Sequence, residues 1–362
     1  MKRILFLSHT HRSGPFKVGS FHLSREMALL GNQVAHVSTP VSALHAVAGV
    51  DPARRSLLAA GPSRAEDGVL DFVPRSMFPV RWGWSRRSLE RILDRIEFDS
   101  VDFCFVDQPL MAARTPRIRT VIFRPTDIKT HRIDAARANK VMANIADGLA
   151  ATSPFVADSL PNPRAVPTIV IENGCEVSRF QRARASSHGR SGFVYVGAMD
   201  HRFDFDAVRR VAIEFPTEEV HLYGPVPESA PSIHAEHPNI LFEGVVGYEQ
   251  VPDVLSRAKV GLLPFTRTAA NRGRSPMKLY EYLAAGLRVV SSEKPRADER
   301  INNAVFSYGS LSELPNAASR ALGADVDYNA VDAMIAGKDW SQNANRLLAF
   351  AGNVASSDRA RG

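Results

Sequence analysis

Two series of short apolar runs, alternating with helical patterns and separated by one polar stretch, restrict this chain to an α/β architecture with two doubly wound sheets. The first series opens with Arg3–His9, whose interior is continuously apolar. An uninterrupted run of this kind suits a parallel strand covered on both faces. A polar loop, Thr10–Gly19, then leads into a helical pattern over Phe21–Leu30 that stops at Gly31, and Gln33–Thr39 follows as a second strand. Strand, loop, helix, strand is a βαβ unit. The loop has no G-x-G-x-x-G pattern, so it carries no dinucleotide fingerprint. Further strands are expected at Val69–Pro74, Val101–Asp107, Thr120–Arg124, Gly148–Thr152 and Thr168–Ile171.

Residues 176–192 are polar, rich in Arg, Ser and Gly, and without periodicity, which reads as a linker. The second series predicts strands at Phe193–Val196, Val220–Tyr223, Ile240–Glu243, Val260–Pro264, Arg288–Ser292 and Val305–Tyr308. The expected organisation is a Rossmann-like domain over 1–175, a linker over 176–192 and a second Rossmann-like domain over 193–340. A terminal helix with a mobile tail is expected over 341–362. A length of 362 residues and 44% hydrophobic residues are enough for two cores.

The formal charge of +7 favours anionic partners such as nucleotides, nucleic acid or acidic membrane. Only two cysteines occur, Cys104 and Cys175, which gives neither a disulfide framework nor a zinc spacing and suits a reduced cytoplasmic compartment. The N-terminal apolar run turns polar too soon for a signal peptide, and no run approaches the length of a membrane span.

The most informative stretch is Arg274–Gly286, a short helix that opens from a basic loop and feeds the Arg288–Ser292 strand. Pro276 suits the first helical turn and Gly286 the position that ends it. A helix N-terminus offers free N–H groups and partial positive charge to an anion. Lys278 adds a full charge there, and Glu281 lies one turn on, on the same face. Ammonium for phosphate and carboxylate for sugar hydroxyls describe a nucleotide-diphosphate site; the plainer reading is an ordinary amphipathic helix with solvated Lys and Glu.

These features resemble the GT-B glycosyltransferases. Lys278-x-x-Glu281-x4-Gly286 before an Arg-Val-Val strand looks like the nucleotide-sugar motif of that fold. Ser8-His9, Val196-Gly-Ala-Met199 and Gly261-Leu-Leu-Pro-Phe265 fit the same pattern, and together they look most like the xanthan glucuronosyltransferase (GumK-like) family. The resemblance implies two Rossmann-like domains facing each other across a cleft, the first taking the acceptor and the second the nucleotide sugar. It implies a UDP-sugar donor, with glucuronate suggested, and a lipid-linked or other glycan acceptor in polysaccharide assembly. Met199, Met277, Lys278 and Glu281 fall on the donor-site positions, although Glu281 stands where the nearer relative has Gln and Val245 where an acidic residue is expected. Retaining members commonly carry two glutamates separated by seven residues; here the first position is Gly273, which suits an inverting reaction.

Asp127 follows a strand in the first domain, so it stands at the carboxyl edge of the sheet, where α/β sheets bind ligands. The resemblance makes it the general base, with Asp107 the substitute; the alternative is a cap on the following helix. Asp204-x-Asp206 and Asp325-x-Asp327 could hold a metal–diphosphate complex, but helix capping suits both, and no essential metal or other cofactor is expected. Trp82, Trp84, Arg86 and their basic neighbours suit contact with an anionic membrane at the inner face of the plasma membrane, with His9 and Arg12 near the acceptor. A buried loop with solvated arginines is the competing reading. The histidines lack a tight ligand spacing. The competing functions are a retaining transferase using another nucleotide sugar, an epimerase or phosphorylase of the same shape, and a basic nucleic-acid-binding protein. The last is disfavoured because the charge is dispersed and no nucleic-acid motif appears.

Overall fold

The computed structural model describes residues 1–14, 17–43, 61–82, 84–128, 131–185, 189–268, 271, 273, 275, 277–292 and 303–359. The chain divides into two units. One comprises Met1–Asn173, Gly273–Ser275 and Trp340–Gly362, and the other Gly174–Arg272 and Pro276–Asp339.

The first unit holds strands β1 (Arg3–Ser8), β2 (Gln33–Ser38), β3 (Val41–Ser42), β4 (Ser63–Arg64), β5 (Leu70–Phe72), β6 (Arg75–Ser76), β7 (Val101–Val106), β8 (Ile118–Phe123), β9 (Gly148–Ala151) and β10 (Thr168–Val170). Its main sheet has the order β10-β9-β8-β7-β1-β2-β5-β4. All pairings in it are parallel except β4 with β5. β1 lies inside this sheet, and Ile4, Leu5 and Phe6 are completely buried, as its unbroken apolar pattern requires. Because β1 neighbours both β2 and β7, the chain order reverses there. Open α/β sheets bind ligands at the carboxyl ends of strands at such a reversal.

The second unit holds β11 (Ser191–Val196), β12 (Val220–Tyr223), β13 (Ile240–Gly244), β14 (Ala258–Leu263), β15 (Arg288–Ser291) and β16 (Val305–Ser307). They form a parallel sheet in the order β13-β12-β11-β14-β15-β16. Its reversal lies between β11 and β14, which places the loops after these strands at the equivalent ligand-binding edge.

Two sequence expectations need correction. Residues 176–192, read as a linker, contain a helix over Val177–Ala185 whose Phe180 and Ala183 join the core of the second unit. The helix escapes a periodicity test because it is short and only two of its side chains are buried; Arg179, Gln181, Arg182 and Arg184 fill most of the remainder. The terminal helix runs without a break through Trp340–Arg359, so the polar stretch after Val354 continues it rather than forming a tail. Its first residue, Trp340, is 1% exposed and stacks on His22 with ring centroids 5.0 Å apart and planes 4° from parallel. That contact ties the terminal helix to the Gly19–Leu29 helix of the first unit. Among the described residues, no helix is long and apolar enough to cross a membrane.

Candidate functional site

In the second unit, the helix Met277–Ala284 packs on β14 and β15 and reaches the end of β11 through Tyr282. Arg274 and Pro276 are outside the described residues, so the expected proline start is outside them too. The far end forms as expected. Gly286 has φ +81°, its N–H donates to Leu283 O at 3.0 Å, and Leu287 N–H donates to Tyr282 O at 2.9 Å. These bonds make a Schellman ending, in which the left-handed residue is least strained as glycine.

The same helix fits the sheet through glycine. At Gly261 in β14, a Cβ atom would lie 2.3 Å from Cδ2 of Tyr282, so only a bare backbone lets that ring pack on the strand. The Tyr282 hydroxyl then accepts the Val196 N–H at 2.9 Å, fastening the helix to the end of β11. Immediately after β11, a Cβ at Gly197 would lie 2.4 Å from Cε and 2.8 Å from Nζ of Lys278. A Cβ at Gly224, after β12, would lie 2.0 Å from the Gly197 carbonyl oxygen. The two glycines therefore let the strand ends close on each other and let the Lys278 ammonium lie along the backbone. Tyr195 flanks it, with Nζ 5.9 Å from the ring centroid, and its hydroxyl donates to Ala198 O at 2.8 Å. Met199 is buried beside Gly224, while Met277 is partly exposed at the helix start.

Glu281 is 7% exposed, and no hydrogen bond to its carboxylate forms among the described residues. Burial pushes its pKa up to about 7, the Lys278 ammonium opposes that rise, and the Glu176 carboxylate adds to it. The site thus pairs a cation with a carboxyl group balanced between its two protonation states. Tyr248, from the loop before the Val251–Arg257 helix, belongs to the same surroundings; burial first, then the charges of Glu281 and Glu176, push its phenol far up.

The first unit holds the remaining predicted residues. Asp127 follows β8, partly exposed, and accepts from Thr126 Oγ1 at 3.4 Å. Thr152 Oγ1 donates to Thr126 O at 2.9 Å and steadies the loop from β9. The next helix, Arg132–Asn144, has His131 at its cap position with no side-chain cap bond, so Asp127 is not that cap. Asp107 is differently employed. It and Arg124 are each 1% exposed and meet at 3.4 Å, and Arg124 continues to Asn173 Oδ1 at 3.2 Å. A buried carboxylate paired in this way is a structural counter-ion rather than a reserve base.

Arg12 is buried, pairs with Asp67, donates to Ser24 Oγ at 2.7 Å and lies over the Phe21 ring at 4.6 Å. Its guanidinium thereby ties down the loop after β1. His9 sits partly buried just beyond β1. Trp82 is 71% exposed, Trp84 is half-buried, and Arg86 pairs with Glu90 at 2.7 Å one helical turn away. Asp204 accepts from Ala207 N–H and Asp327 from Asn329 and Ala330 N–H, so each Asp-x-Asp string supplies a helix cap. Among the described residues, no group of His, Cys, Asp and Glu is arranged to hold a metal ion.

Sequence reasoning missed Tyr195, Tyr282, Tyr248 and the Gly197–Gly224 contact. The glycines were discoverable, because each directly follows a predicted strand in the series.

Two parallel Rossmann-like units, with this edge in the second, define the GT-B class of glycosyltransferase folds. Within that class, residues 190–324 match the family described as glycosyl transferases group 1. The Bacillus subtilis (strain 168) protein TuaH, named as a teichuronic acid biosynthesis glycosyltransferase, is 26% identical over 148 residues, which are 38% of this chain and 37% of that protein. Among solved structures, sucrose-phosphate synthase from Thermosynechococcus elongatus aligns with a TM-score of 0.63 and 14% identity over 99% of each chain. Anabaena HepE in complex with UDP-glucose aligns with a TM-score of 0.61 and 13% identity, over 99% of this chain and 100% of that one. At these identities the structural matches establish the fold.

Proposed function

We propose that the protein is a glycosyltransferase that moves a sugar from a UDP-sugar to a glycan acceptor in polysaccharide assembly. The observation that carries this reading is Lys278 lying across Gly197 beside the buried Glu281, inside the stretch that matches the group 1 family. Lys278 neutralises the diphosphate, and Glu281 accepts from the ribose hydroxyls. The acceptor oxygen attacks the anomeric carbon while the bond from that carbon to UDP breaks. Asp127 takes the hydroxyl proton, and UDP leaves with its charge met by Lys278 and the helix N-terminus. Anabaena HepE, whose complex holds UDP-glucose, supports the choice of nucleotide, and the naming of TuaH supports the polysaccharide setting. Glucuronate as the donor sugar rests on the resemblance of the motifs around Lys278. A lipid-linked acceptor at the inner face of the plasma membrane is supported by the exposed Trp82 in its basic surroundings.

Inversion is favoured at Gly273. A side chain there would meet Phe155 Cβ at 2.4 Å, and φ is +77°, so the position has no room for the first of two glutamates. Retention is the competing outcome, because group 1 glycosyltransferases are typically retaining. The test is incubation with UDP-glucuronate, UDP-glucose, UDP-N-acetylglucosamine and GDP-mannose, with nucleotide release and the anomeric configuration of the product as readouts. Acceptor-stimulated UDP release with an inverted product is expected. Absence of binding or turnover with every donor would end the transferase reading, and a retained anomer would end inversion alone.

A further inference from the structure

Asn173 and Ser275 lie 102 residues apart in the chain and are joined by two hydrogen bonds. The Asn173 backbone N–H donates to Ser275 Oγ at 2.8 Å, and its side-chain Nδ2 donates to Ser275 O at 2.9 Å. At the other end of the amide, Oδ1 accepts from Arg124 Nη2 at 3.2 Å, and Arg124 is held by the buried Asp107. The amide is thus engaged as donor and acceptor at once, which fixes its orientation. Gly19 leaves the space for this row of bonds: a Cβ there would lie 2.7 Å from Arg124 Nη2 and 3.0 Å from Asn173 Oδ1.

Ser275 stands three residues before Lys278. Together with Gly273, whose φ is +77° and whose Cβ would strike Phe155, Ser275 belongs to the first unit. Asn271, just before them, belongs to the second unit and donates to Arg202 O and Thr266 O. The helix Met277–Ala284, just after them, belongs to the second unit as well. Two residues of chain span at most about 7 Å, so the start of the helix must follow wherever Ser275 is held. The bond from Val196 N–H to the Tyr282 hydroxyl fastens only the later part of the helix. Its first turn, which carries Lys278, takes its position from Ser275.

We propose that Asn173 is a positioning residue for Lys278: through Ser275 it sets where the first turn of the Met277–Ala284 helix comes to rest. Arg124 and Asp107 hold Asn173 in turn, so an ion pair at the carboxyl ends of β8 and β7 governs a lysine of the other unit. The bearing on nucleotide affinity rests on the transferase reading; the positioning itself does not.

Asn173→Asp isolates the link. The carboxylate can still accept from Arg124, but it cannot donate to the Ser275 carbonyl oxygen. Ser275→Ala is the companion variant, because it removes the hydroxyl that accepts the Asn173 N–H. On the full chain without ligand, hydrogen exchange over Met277–Ala284 is expected to quicken about three- to tenfold in each variant, the worth of one hydrogen bond. Exchange over the Arg132–Asn144 helix of the first unit is expected to stay constant. UDP affinity is expected to fall about three- to tenfold as well. In a Lys278→Ala background, Asn173→Asp is expected to change UDP affinity less than about twofold, since a misplaced ammonium and an absent one are equivalent. Unchanged exchange over Met277–Ala284, or an equal rise in both helices, would reduce Asn173 to a loop tie and overturn the inference whether or not UDP binds. So would losses of UDP affinity that simply add to that of Lys278→Ala, or variants that bind UDP as the wild type does. If the wild type binds no UDP while exchange over Met277–Ala284 responds as expected, the transferase reading fails and the positioning stands.

Discussion

Lys278 and Glu281 sit one turn apart and answer to different tests. The ammonium lies where the strand-end glycines bring backbone and side chain together, so Lys278→Ala should weaken UDP binding without disturbing the sheet beneath. A charge-assisted contact is worth roughly 1.5–3 kcal/mol, or about 10- to 100-fold in affinity. Calorimetry on the folded variant checks this, and an unchanged affinity would move the diphosphate elsewhere. Glu281 makes a pH-dependent contribution. Its folded pKa of about 7 lies above the ordinary value of 4.5 because burial penalises the anion. Native protein therefore binds more protons than unfolded protein between those values. The stability linked to Glu281 is fully present below pH 4.5 and is lost as pH rises through 7. Glu281→Gln removes the ionisation, so the variant should match the wild type near pH 4.5 and exceed it by up to about 3 kcal/mol at pH 8. Thermal melts across that range should show the difference widening; a constant offset would place the carboxyl in a more solvated or better-paired setting.

At the scale of elements, the joint between the Met277–Ala284 helix and the sheet depends on the missing side chain of Gly261. Gly261→Ala puts a methyl group 2.3 Å from the Tyr282 ring, which must shift and loosen its bond to Val196 N–H. Overpacking of this kind costs about 1–3 kcal/mol. Because the displaced helix carries Lys278, the variant should lose stability and UDP affinity together, as chemical denaturation and calorimetry on the same sample would reveal. Loss of stability with normal affinity would uncouple the joint from the site. This joint was only half legible in the sequence. Gly286 announced the helix end, and the strands on either side were plain from apolar runs buried on both faces. That Gly261 is paired with Tyr282, however, is a contact across elements which no local pattern encodes. The same limit hid the Val177–Ala185 helix, whose core contacts are two residues long. It also hid β3 and β6, two-residue strands of the first unit. Asp107 and Arg12 looked available because charge is visible in a sequence and burial is not. Their partners Arg124 and Asp67 lie 17 and 55 residues away along the chain.

The proposed reading gives the two units different tasks, and Asp127 is where that division can be tested. Met199, Lys278 and Glu281, which the proposed reading assigns to the nucleotide, belong to the second unit and Asp127 to the first. If Asp127 is the base, Asp127→Asn should abolish transfer while UDP affinity stays near normal. An amide nearly matches a carboxylate in shape and can still accept from Thr126 Oγ1, the hydrogen bond that Asp127 makes now. It cannot take up the acceptor proton. Base catalysis typically contributes 10²- to 10⁴-fold, on the order of 3–5 kcal/mol of barrier. A structural role predicts a different pattern. Asp127 does not cap the helix that follows, so the substitution has no cap to remove, and a loop-holding role would leave turnover largely intact. Steady-state rates and UDP calorimetry on one preparation separate these cases. Turnover within about threefold of wild type would fall far short of the loss of a base. The search would not then pass to Asp107, whose carboxylate is committed to Arg124 inside the sheet edge, but to the partly buried His9 at the end of β1. His9→Gln, assayed as a function of pH, would be the next measurement. A histidine base would give the wild type a pH-dependent limb in its rate, which the variant would lack.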